Sequence, residues 1–360
     1  MSQETVQALS RLVAAAGRVA DRAEPSLIES LSQTTGLSEE GVRHALATHL
    51  ERDVPLETLA AIVRRARPAE EITLILSANV FTAALRALVL ARASAPRVVV
   101  RPSRREPWFA REIIVECNDP SLVLADALEL SEVKRGVVHA YGSDASLQQI
   151  EAKLTVPLWA HGSGLGIAWL SARAPLEASA RALAEDVVAF DQRGCLSPRL
   201  VYVEGSQERA GFLADALFSA LGEWESRVPR GLLFPEERAE LARLRDELAF
   251  LGEFREGRAH AVAVVPQAPP LLLPPGRHVV VVPVRNVQVA HMHLAPISSH
   301  VVACGSDDQA GAREVGPRWA RISELGRMQR PPLDGPVDGR DDWRQTSLCC
   351  PSLDPSRGPR

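Results

Sequence analysis

The segment "ITLILSANVFTAALRALVLARASAPRVVVRPS", residues 72–103, decides the fold class. Two short, continuous apolar runs, 72–77 and 97–103, flank a stretch with helical periodicity. Runs of this length, separated by a helical pattern, are typical of buried parallel strands. The segment therefore predicts a strand–helix–strand unit with a ligand crevice at the carboxyl ends of its strands.

The same alternation continues outward along the chain. Residues 4–66 are helical in pattern, with a capping-box-like start at Ser38. Downstream, "GVVHAYGSDASLQQIEAKL" (136–154) predicts a strand, a Gly-Ser turn and a helix, and "PLWAHGSGLGIAWL" (157–170) is strand-like before a further helix. The predicted fold class is therefore α/β, doubly wound, with a helical N-terminal region.

The chain divides into four predicted parts. These are a helical region at 1–68, an α/β region at 69–190, a second α/β region at 191–330 and a tail at 331–360. Prolines interrupt the apolar pattern at 266–275 and argue against a central strand there. The tail is rich in Pro, Gly and charge, and this composition predicts partial disorder.

Composition limits the class of function. The 360 residues are 46% apolar, which predicts a sizeable core, and the net charge of −4 gives no electrostatic reason to expect a nucleic acid partner. No secretory signal pattern and no apolar run of about 20 residues is present, so we expect no membrane span. The five cysteines have no CxxC spacing and no clustered histidines, which argues against a disulfide framework or a metal site and favours the cytoplasm.

Cys195 lies in "FDQRGCLSPR" (190–199), between a predicted helix and a predicted strand. Its neighbours are polar, and Arg193 would favour a thiolate, the form in which cysteine acts as a nucleophile. The alternative interpretation is a small buried apolar residue at a turn. The residues alone leave both interpretations open.

Two strand ends carry polar groups. Asn79 follows the first strand, where its amide can donate a hydrogen bond to a developing oxyanion, unless Ser77 or Asn79 only caps the helix. A basic cluster follows the second strand and suits a phosphorylated cofactor, although a solvated basic turn is equally compatible. That cluster comprises Arg101, Ser103, Arg104 and Arg105.

A third group of candidates lies at later turns. The turn at Gly142 and Ser143 either caps a helix or presents helix N-terminal amides to a phosphate or ribose. His161 is a candidate base or thiolate partner, or a hydrogen-bonded histidine at a strand end. His291 and His293 alternate on one predicted strand face, but a metal site there would need a carboxylate that the sequence does not identify.

Taken together, five segments resemble the aldehyde dehydrogenase superfamily and, within it, the fatty acyl-CoA reductases of the LuxC type. They are "LSANVFTAALRALVLA", "VVVRPSRREPWFA", "AYGSDASLQQI", "DVVAFDQRGCLSPRLVYVEG" and "ELGRMQRPPLDGPVDGR", within residues 72–340. The fourth segment and "LGRMQRPP" are the most specific to the LuxC type. The resemblance implies an aldehyde dehydrogenase-like fold in which 69–190 binds NADPH and 191–330 is catalytic.

The resemblance also implies roles for single residues. Cys195 would take the acyl group, and Asn79 with the backbone N–H of Cys195 would form the oxyanion hole. His161 lies near the stretch that holds the general-base glutamate of the hydrolytic members, whose loss would protect an acyl-enzyme from water. The implied cofactor contacts are Arg101, Ser103, Arg104, Gly142 and Ser143.

The function implied is NADPH-dependent reduction of a fatty acyl-CoA or an acyl-carrier thioester to the aldehyde through a cysteine acyl-enzyme. A homodimer, or an acyl-transferring partner enzyme, is the corresponding expectation for partners. Two alternatives stay open. One is a catalytically eroded binding protein with the same fold, and the other is a cysteine acyltransferase or thioesterase.

Overall fold

Four helices precede the first strand in the computed structural model, which describes residues 3–267, 273–335, 337 and 339–340. They are α1 (Gln3–Arg22), α2 (Pro25–Thr35), α3 (Glu39–Thr48) and α4 (Leu56–Arg65). The predicted helical N-terminal region is confirmed. Ser38 is the N-cap of α3, and its hydroxyl accepts a hydrogen bond from Gly41 N at 3.0 Å, which satisfies one free N–H of the first turn.

A five-stranded parallel sheet follows, with the strand order β3–β2–β1–β4–β5. The strands are β1 (Ile72–Ile75), β2 (Val98–Arg101), β3 (Leu122–Leu124), β4 (Val137–Tyr141) and β5 (Leu158–His161). The helices are α5 (Ala83–Ser94), α6 (Trp108–Cys117) and α7 (Asp144–Glu151). The predicted strand–helix–strand unit is confirmed as β1–α5–β2. The strand order reverses between β1 and β4, where ligand crevices of doubly wound sheets form.

A second sheet has seven strands in the order β12–β11–β6–β7–β10–β9–β8. The strands are β6 (Leu165–Leu170), β7 (Pro198–Glu204), β8 (Glu253–Glu256), β9 (Ala261–Val264), β10 (His278–Val284), β11 (Val301–Ser306) and β12 (Arg321–Ser323). The helices are α8 (Leu176–Val188), α9 (Gln207–Arg227), α10 (Pro235–Leu251), α11 (Val287–Leu294) and α12 (Gln309–Val315). All pairs are parallel except β8 with β9.

The structure revises two local predictions. The stretch 157–170 forms two strands in different sheets, because β5 ends at His161 and β6 begins at Leu165. The strand predicted around His291 and His293 is wrong, since both residues lie in α11, whose N-cap Asn286 accepts a hydrogen bond from Val289 N at 3.1 Å. The two histidines therefore do not alternate on a strand face.

The division of the chain into domains stays a prediction. β6 and α8 lie within the predicted region 69–190 but belong with the seven-stranded sheet, so the sheets divide between 161 and 165. The predicted disorder of the tail, apart from its first residues, concerns positions outside the described residues, as do Cys349 and Cys350. None of the helices in the described part of the chain has the length and apolar character needed to span a bilayer.

Candidate active site

A cavity of about 440 Å³ lies where the two sheets meet. The five-stranded sheet contributes the carboxyl ends of β1, β4 and β5, and the seven-stranded sheet contributes residues at the amino ends of β6, β7 and β11. The cavity brings together five of the predicted site residues, namely Cys195, Asn79, His161, Gly142 and Ser143. The other three, Arg101, Ser103 and Arg104, are not in its wall and lie at the carboxyl end of β2.

Cys195 is held by a loop of unusual backbone (residues 189–197), which we call the nucleophile loop after the role that the sequence predicts for Cys195. Phe190, Asp191 and Gln192 have φ angles of 53°, 52° and 63°, in the left-handed region that non-glycine residues rarely adopt. Such residues each cost on the order of 1–3 kcal/mol and persist only where their surroundings over-determine them. The surrounding structure must therefore hold the loop in this conformation.

Buried polar contacts fix this loop. The Asp191 carboxylate pairs with Arg277 at 2.7 Å (Oδ1 to Nη2), and both side chains are 1% exposed. The Gln192 amide donates to Pro198 O at 3.0 Å and accepts from His278 N at 2.8 Å. Because Arg277 and His278 come from a distant part of the chain, the position of Cys195 depends on tertiary structure.

The surroundings of Cys195 differ from those of the other described cysteines. Cys195 is half-buried and lines the cavity, whereas Cys117 and Cys304 are buried. Burial raises the pKa of the Cys304 thiol to about 12, so that thiol stays protonated and inert. Among the three, Cys195 alone combines exposure with a place in the cavity wall.

Two glycines allow close approach to the nucleophile loop. A Cβ on Gly194 would lie 2.6 Å from Gln329 Oε1, and a Cβ on Gly166 would lie 2.3 Å from Leu196 O. Gln329 also donates to Ser197 Oγ at 2.6 Å. The segment "LGRMQRPP" therefore supports the loop through Gln329, a site residue that the sequence analysis did not single out.

Asn79 lies in the turn between β1 and α5, on the cavity wall. Neither Ser77 nor Asn79 caps the helix, because α5 begins only at Ala83 with Thr82 as its N-cap. The Arg105 guanidinium donates to Asn79 Oδ1 at 2.6 Å. This contact orients the amide so that its Nδ2 hydrogens face away from Arg105.

The carboxyl ends of β4 and β5 supply the remaining predicted residues. Ser143 is the N-cap of α7 and accepts a hydrogen bond from Ser146 N at 3.3 Å. The His161 ring is stacked on Tyr141, with centroids 4.2 Å apart and an interplanar angle of 8°. His161 Nε2 is 3.5 Å from Nδ1 of His139, a buried residue whose pKa burial lowers well below its ordinary value. His161 is thus held by ring contacts at the cavity wall.

The structure reveals a cation at the site that the sequence analysis missed. Arg199 lines the cavity and donates to Gln192 O at 3.0 Å and to Leu273 O. Arg193, the predicted partner of the thiolate, instead forms a fork with the Glu237 carboxylate at 2.9 Å. The signal in the sequence that could have identified Arg199 is its spacing, four residues after Cys195 across a turn.

Comparison with known families matches residues 3–341 to the model described as acyl-CoA reductase (LuxC). The chain belongs to the LuxC acyl-CoA reductase family. It is therefore an oxidoreductase, and the resemblance found in the sequence is confirmed. No curated protein matches this LuxC-family chain significantly by sequence.

Solved structures with the same fold come from the aldehyde dehydrogenases and related oxidoreductases. The LuxC-family chain is similar to an oxidoreductase from Marinobacter aquaeolei (15% identity, 93% of this chain, 79% of that chain, TM-score 0.69). It is also similar to an NADP-dependent glyceraldehyde-3-phosphate dehydrogenase from Bacillus halodurans complexed with NADP (12%, 89%, 79%, 0.66). A third is an NAD-dependent benzaldehyde dehydrogenase from Corynebacterium glutamicum (13%, 89%, 82%, 0.65). The predicted aldehyde dehydrogenase-like α/β fold is confirmed.

Proposed function

We propose that the protein reduces a long-chain fatty acyl-CoA, or another acyl thioester, to the aldehyde with NADPH, through an acyl-enzyme on Cys195. Family membership supports acyl-CoA reduction. One observation supports the proposed acyl-enzyme on Cys195. The loop that holds Cys195 in a fixed position and the carboxyl ends of β1 and β4 line the same cavity. This arrangement supports a reaction in which a cysteine nucleophile and a cofactor meet in the same cavity.

Cys195 is the reacting group of this chain. Its thiolate forms a bond to the thioester carbonyl carbon, and the carrier sulfur leaves as a thiolate that takes up a proton. Asn79 Nδ2 and the backbone N–H of Cys195 donate to the oxyanion that develops on the carbonyl oxygen. After reduction, the bond between Cys195 and the former carbonyl carbon breaks, which regenerates the thiolate and releases the aldehyde.

A nicotinamide cofactor supplies the hydride for this reaction when it is bound. The residues at the crevice fit such a group, because Gly142 presents backbone to the cavity and Ser143 begins α7, where helix N-terminal amides favour a phosphate. Arg101, Ser103 and the exposed Arg104 lie at the end of the neighbouring strand β2. We assign the 2′-phosphate of NADPH to these guanidinium groups, since forked donors recognise a phosphate dianion.

The proposed acyl chain lies along α5. Ala83, Arg86, Leu90 and Ser94 line the cavity and lie on one face of the helix, three or four residues apart. With Thr82, which also lines it, this face is about 18 Å long at 1.5 Å per residue. Ile62, Ala66 and Leu333 add apolar walls. Each methylene buried there would stabilise the complex by about 0.8 kcal/mol, which favours a long chain.

One charged pair lies in the wall beside this path. Arg86 pairs with Glu51 and also donates to Pro331 O at 2.6 Å and to Gly335 O at 3.0 Å. Because these partners occupy the guanidinium, a hydrocarbon chain can pass without leaving a buried donor unsatisfied. The pair is therefore compatible with an apolar ligand.

Intact-mass measurement tests the proposal directly. The protein is incubated with long-chain acyl-CoAs of increasing length, first without a reduced cofactor and then with NADPH or NADH. We expect one acyl adduct per protein molecule, and we expect NADPH to release it as aldehyde faster than NADH does. Cys195→Ala should lose the adduct, whereas Cys304→Ala should retain it, because Cys304 is buried away from the cavity.

Other outcomes would point elsewhere. An adduct that persists in Cys195→Ala would contradict the assignment of the nucleophile. Release of the free acid alone would indicate a thioesterase. Absence of any adduct, at every chain length, would favour a binding protein with this fold.

A further inference from the structure

Arg199 is a cavity residue that the steps above do not use. It lies at the second position of β7, four residues after Cys195, and both side chains line the cavity. Burying a guanidinium costs free energy unless its charge is paired and its N–H groups are hydrogen-bonded. The contacts of Arg199 therefore show how its charge is accommodated.

The side chain of Arg199 folds back across the nucleophile loop. Its Nη2 donates to the carbonyl of Gln192, three residues before Cys195, and its Nη1 donates to the carbonyl of Leu273. Its Nε is buried and has no hydrogen-bond partner among the residues that the structure describes. The loop is thereby closed by a cation that retains a free donor.

Arg199 and Arg193 differ in how their charges are offset. Arg193 makes two hydrogen bonds to Glu237 and lies 3.6 Å from Asp191, so two carboxylates offset its charge. The hydrogen bonds of Arg199 go to neutral carbonyls. Burial lowers the pKa of Arg199 to about 10, and the negative charges of Cys195, Glu237 and Glu240 act against that change. Arg199 is therefore a cation at neutral pH, and it lines the same cavity as Cys195 while bonded to the loop that carries that residue.

The other arginines of the described cavity wall, Arg65, Arg86 and Arg193, each pair with a carboxylate. The wall also holds three imidazoles, of His49, His161 and His300, and the phenol of Tyr141. Burial lowers the pKa of His49 to about 3, which keeps that ring neutral. The carboxylates of Glu51 and Asp334 face Arg86 and Arg65, which offset them.

We propose that Arg199 is a positioning residue whose guanidinium stabilises the Cys195 thiolate and fixes the loop that carries it. The proposal rests on the proposed function of Cys195 as the nucleophile. A cation beside a thiol favours the thiolate, the reactive form. Arg199 thus does for Cys195 what a histidine or a helix N-terminus does in other thiol enzymes, without itself exchanging a proton.

The pH dependence of cysteine alkylation tests this proposal. The full chain is treated with iodoacetamide from pH 5 to pH 10, and peptide mass mapping gives the rate at Cys195 alone. In Arg199→Met the midpoint of the profile should move to higher pH, and alkylation at pH 6 should slow by about tenfold or more because less thiolate is present. Arg199→Lys keeps the charge and should retain a midpoint close to that of the wild type.

A matched control and a second variant complete the test. Arg238→Met removes an exposed cation of α10 and should leave the midpoint unchanged. If Arg199→Met does not fold, Arg199→Gln replaces it, because the amide can still donate to the Gln192 carbonyl.

The results separate two failures. An unshifted midpoint in a folded, uncharged variant would overturn the role of Arg199 and leave the nucleophile assignment intact. A wild-type Cys195 that alkylates but takes no acyl group from any acyl-CoA would instead overturn the proposed function.

Discussion

The two sheets face the cavity with opposite ends. The five-stranded sheet presents the carboxyl ends of its parallel strands, where polar turns and helix starts gather as a matter of course. The seven-stranded sheet presents amino ends, through Leu165, Leu196 and His300. No general rule of parallel sheets places functional groups at amino ends, so this half of the site depends on a specially built loop.

The two halves are also held by different forces. At the carboxyl end of β4, Ser143 makes a local cap contact and is exposed to solvent. In the nucleophile loop, Asp191 and Gln192 are buried and bound to residues about 86 positions away, Arg277 and His278. The half formed by the five-stranded sheet should therefore tolerate change, whereas the half that contains the nucleophile loop should not.

The largest expected effect comes from the buried ion pair of the nucleophile loop. Arg277→Met leaves Asp191 without its closest cation and should destabilise the protein by about 3–5 kcal/mol, as for other broken buried pairs. Arg111→Met, which breaks the exposed Arg111–Asp126 pair beside the five-stranded sheet, should cost only about 0–1 kcal/mol. Urea unfolding followed by tryptophan fluorescence measures both. Equal losses in the two variants would remove the contrast between the halves.

A smaller effect on stability is expected when a glycine in each half of the site is replaced by alanine, which adds one methyl group. Gly166→Ala places its Cβ 2.3 Å from Leu196 O, and since backbone must move, we expect a cost of about 1–3 kcal/mol together with displacement of the adjacent Cys195. Gly142→Ala meets only Ser146 Cβ at 3.6 Å, an ordinary contact, and stability should change by less than about 0.5 kcal/mol. Thermal unfolding of the two variants provides the comparison. A neutral Gly166→Ala would show that the nucleophile loop can relax.

The same contrast explains which features the sequence predicts. The strand–helix–strand unit, the cap at Ser38 and the turn at Ser143 follow from local patterns, and the structure contains all three. The motif around Cys195 led to the family, which is confirmed, while the role of Cys195 stays a prediction. These features depend on residues close together in the chain, so periodicity and turn chemistry are sufficient to locate them.

Features that depend on distant residues were missed or mistaken. His291 and His293 alternate in sequence, but the Asn286 cap starts a helix, so the two-residue spacing was misleading. Arg193 appeared to be the cation of Cys195 because nothing in the sequence indicates that Glu237, 44 residues away, occupies it. The break between β5 and β6 was missed because two strands of different sheets follow one another with only three residues between them.

Arg105 connects the two halves, and its removal is the mildest of these tests. Its guanidinium donates to Asn79 Oδ1 at 2.6 Å and lies 4.9 Å from the ring centroid of Phe234, the residue before α10. Arg105→Ala keeps both halves folded but frees the Asn79 amide to rotate, so kcat for acyl-CoA reduction should fall by about tenfold, less than the roughly 10²–10³-fold expected on removing an oxyanion donor.

A double-mutant cycle decides whether Arg105 acts through Asn79. Arg105→Ala should add little to the loss already caused by Asn79→Ala, because the group it orients is then absent. Arg135→Ala, which removes an exposed cation paired with Glu71, serves as the control and should leave kcat unchanged. Additive losses in the double variant would mean that Arg105 supports the reaction by another route, such as direct contact with the substrate. Non-additive losses would mean that the five-stranded half contributes a donor, Asn79, that Arg105 holds in position.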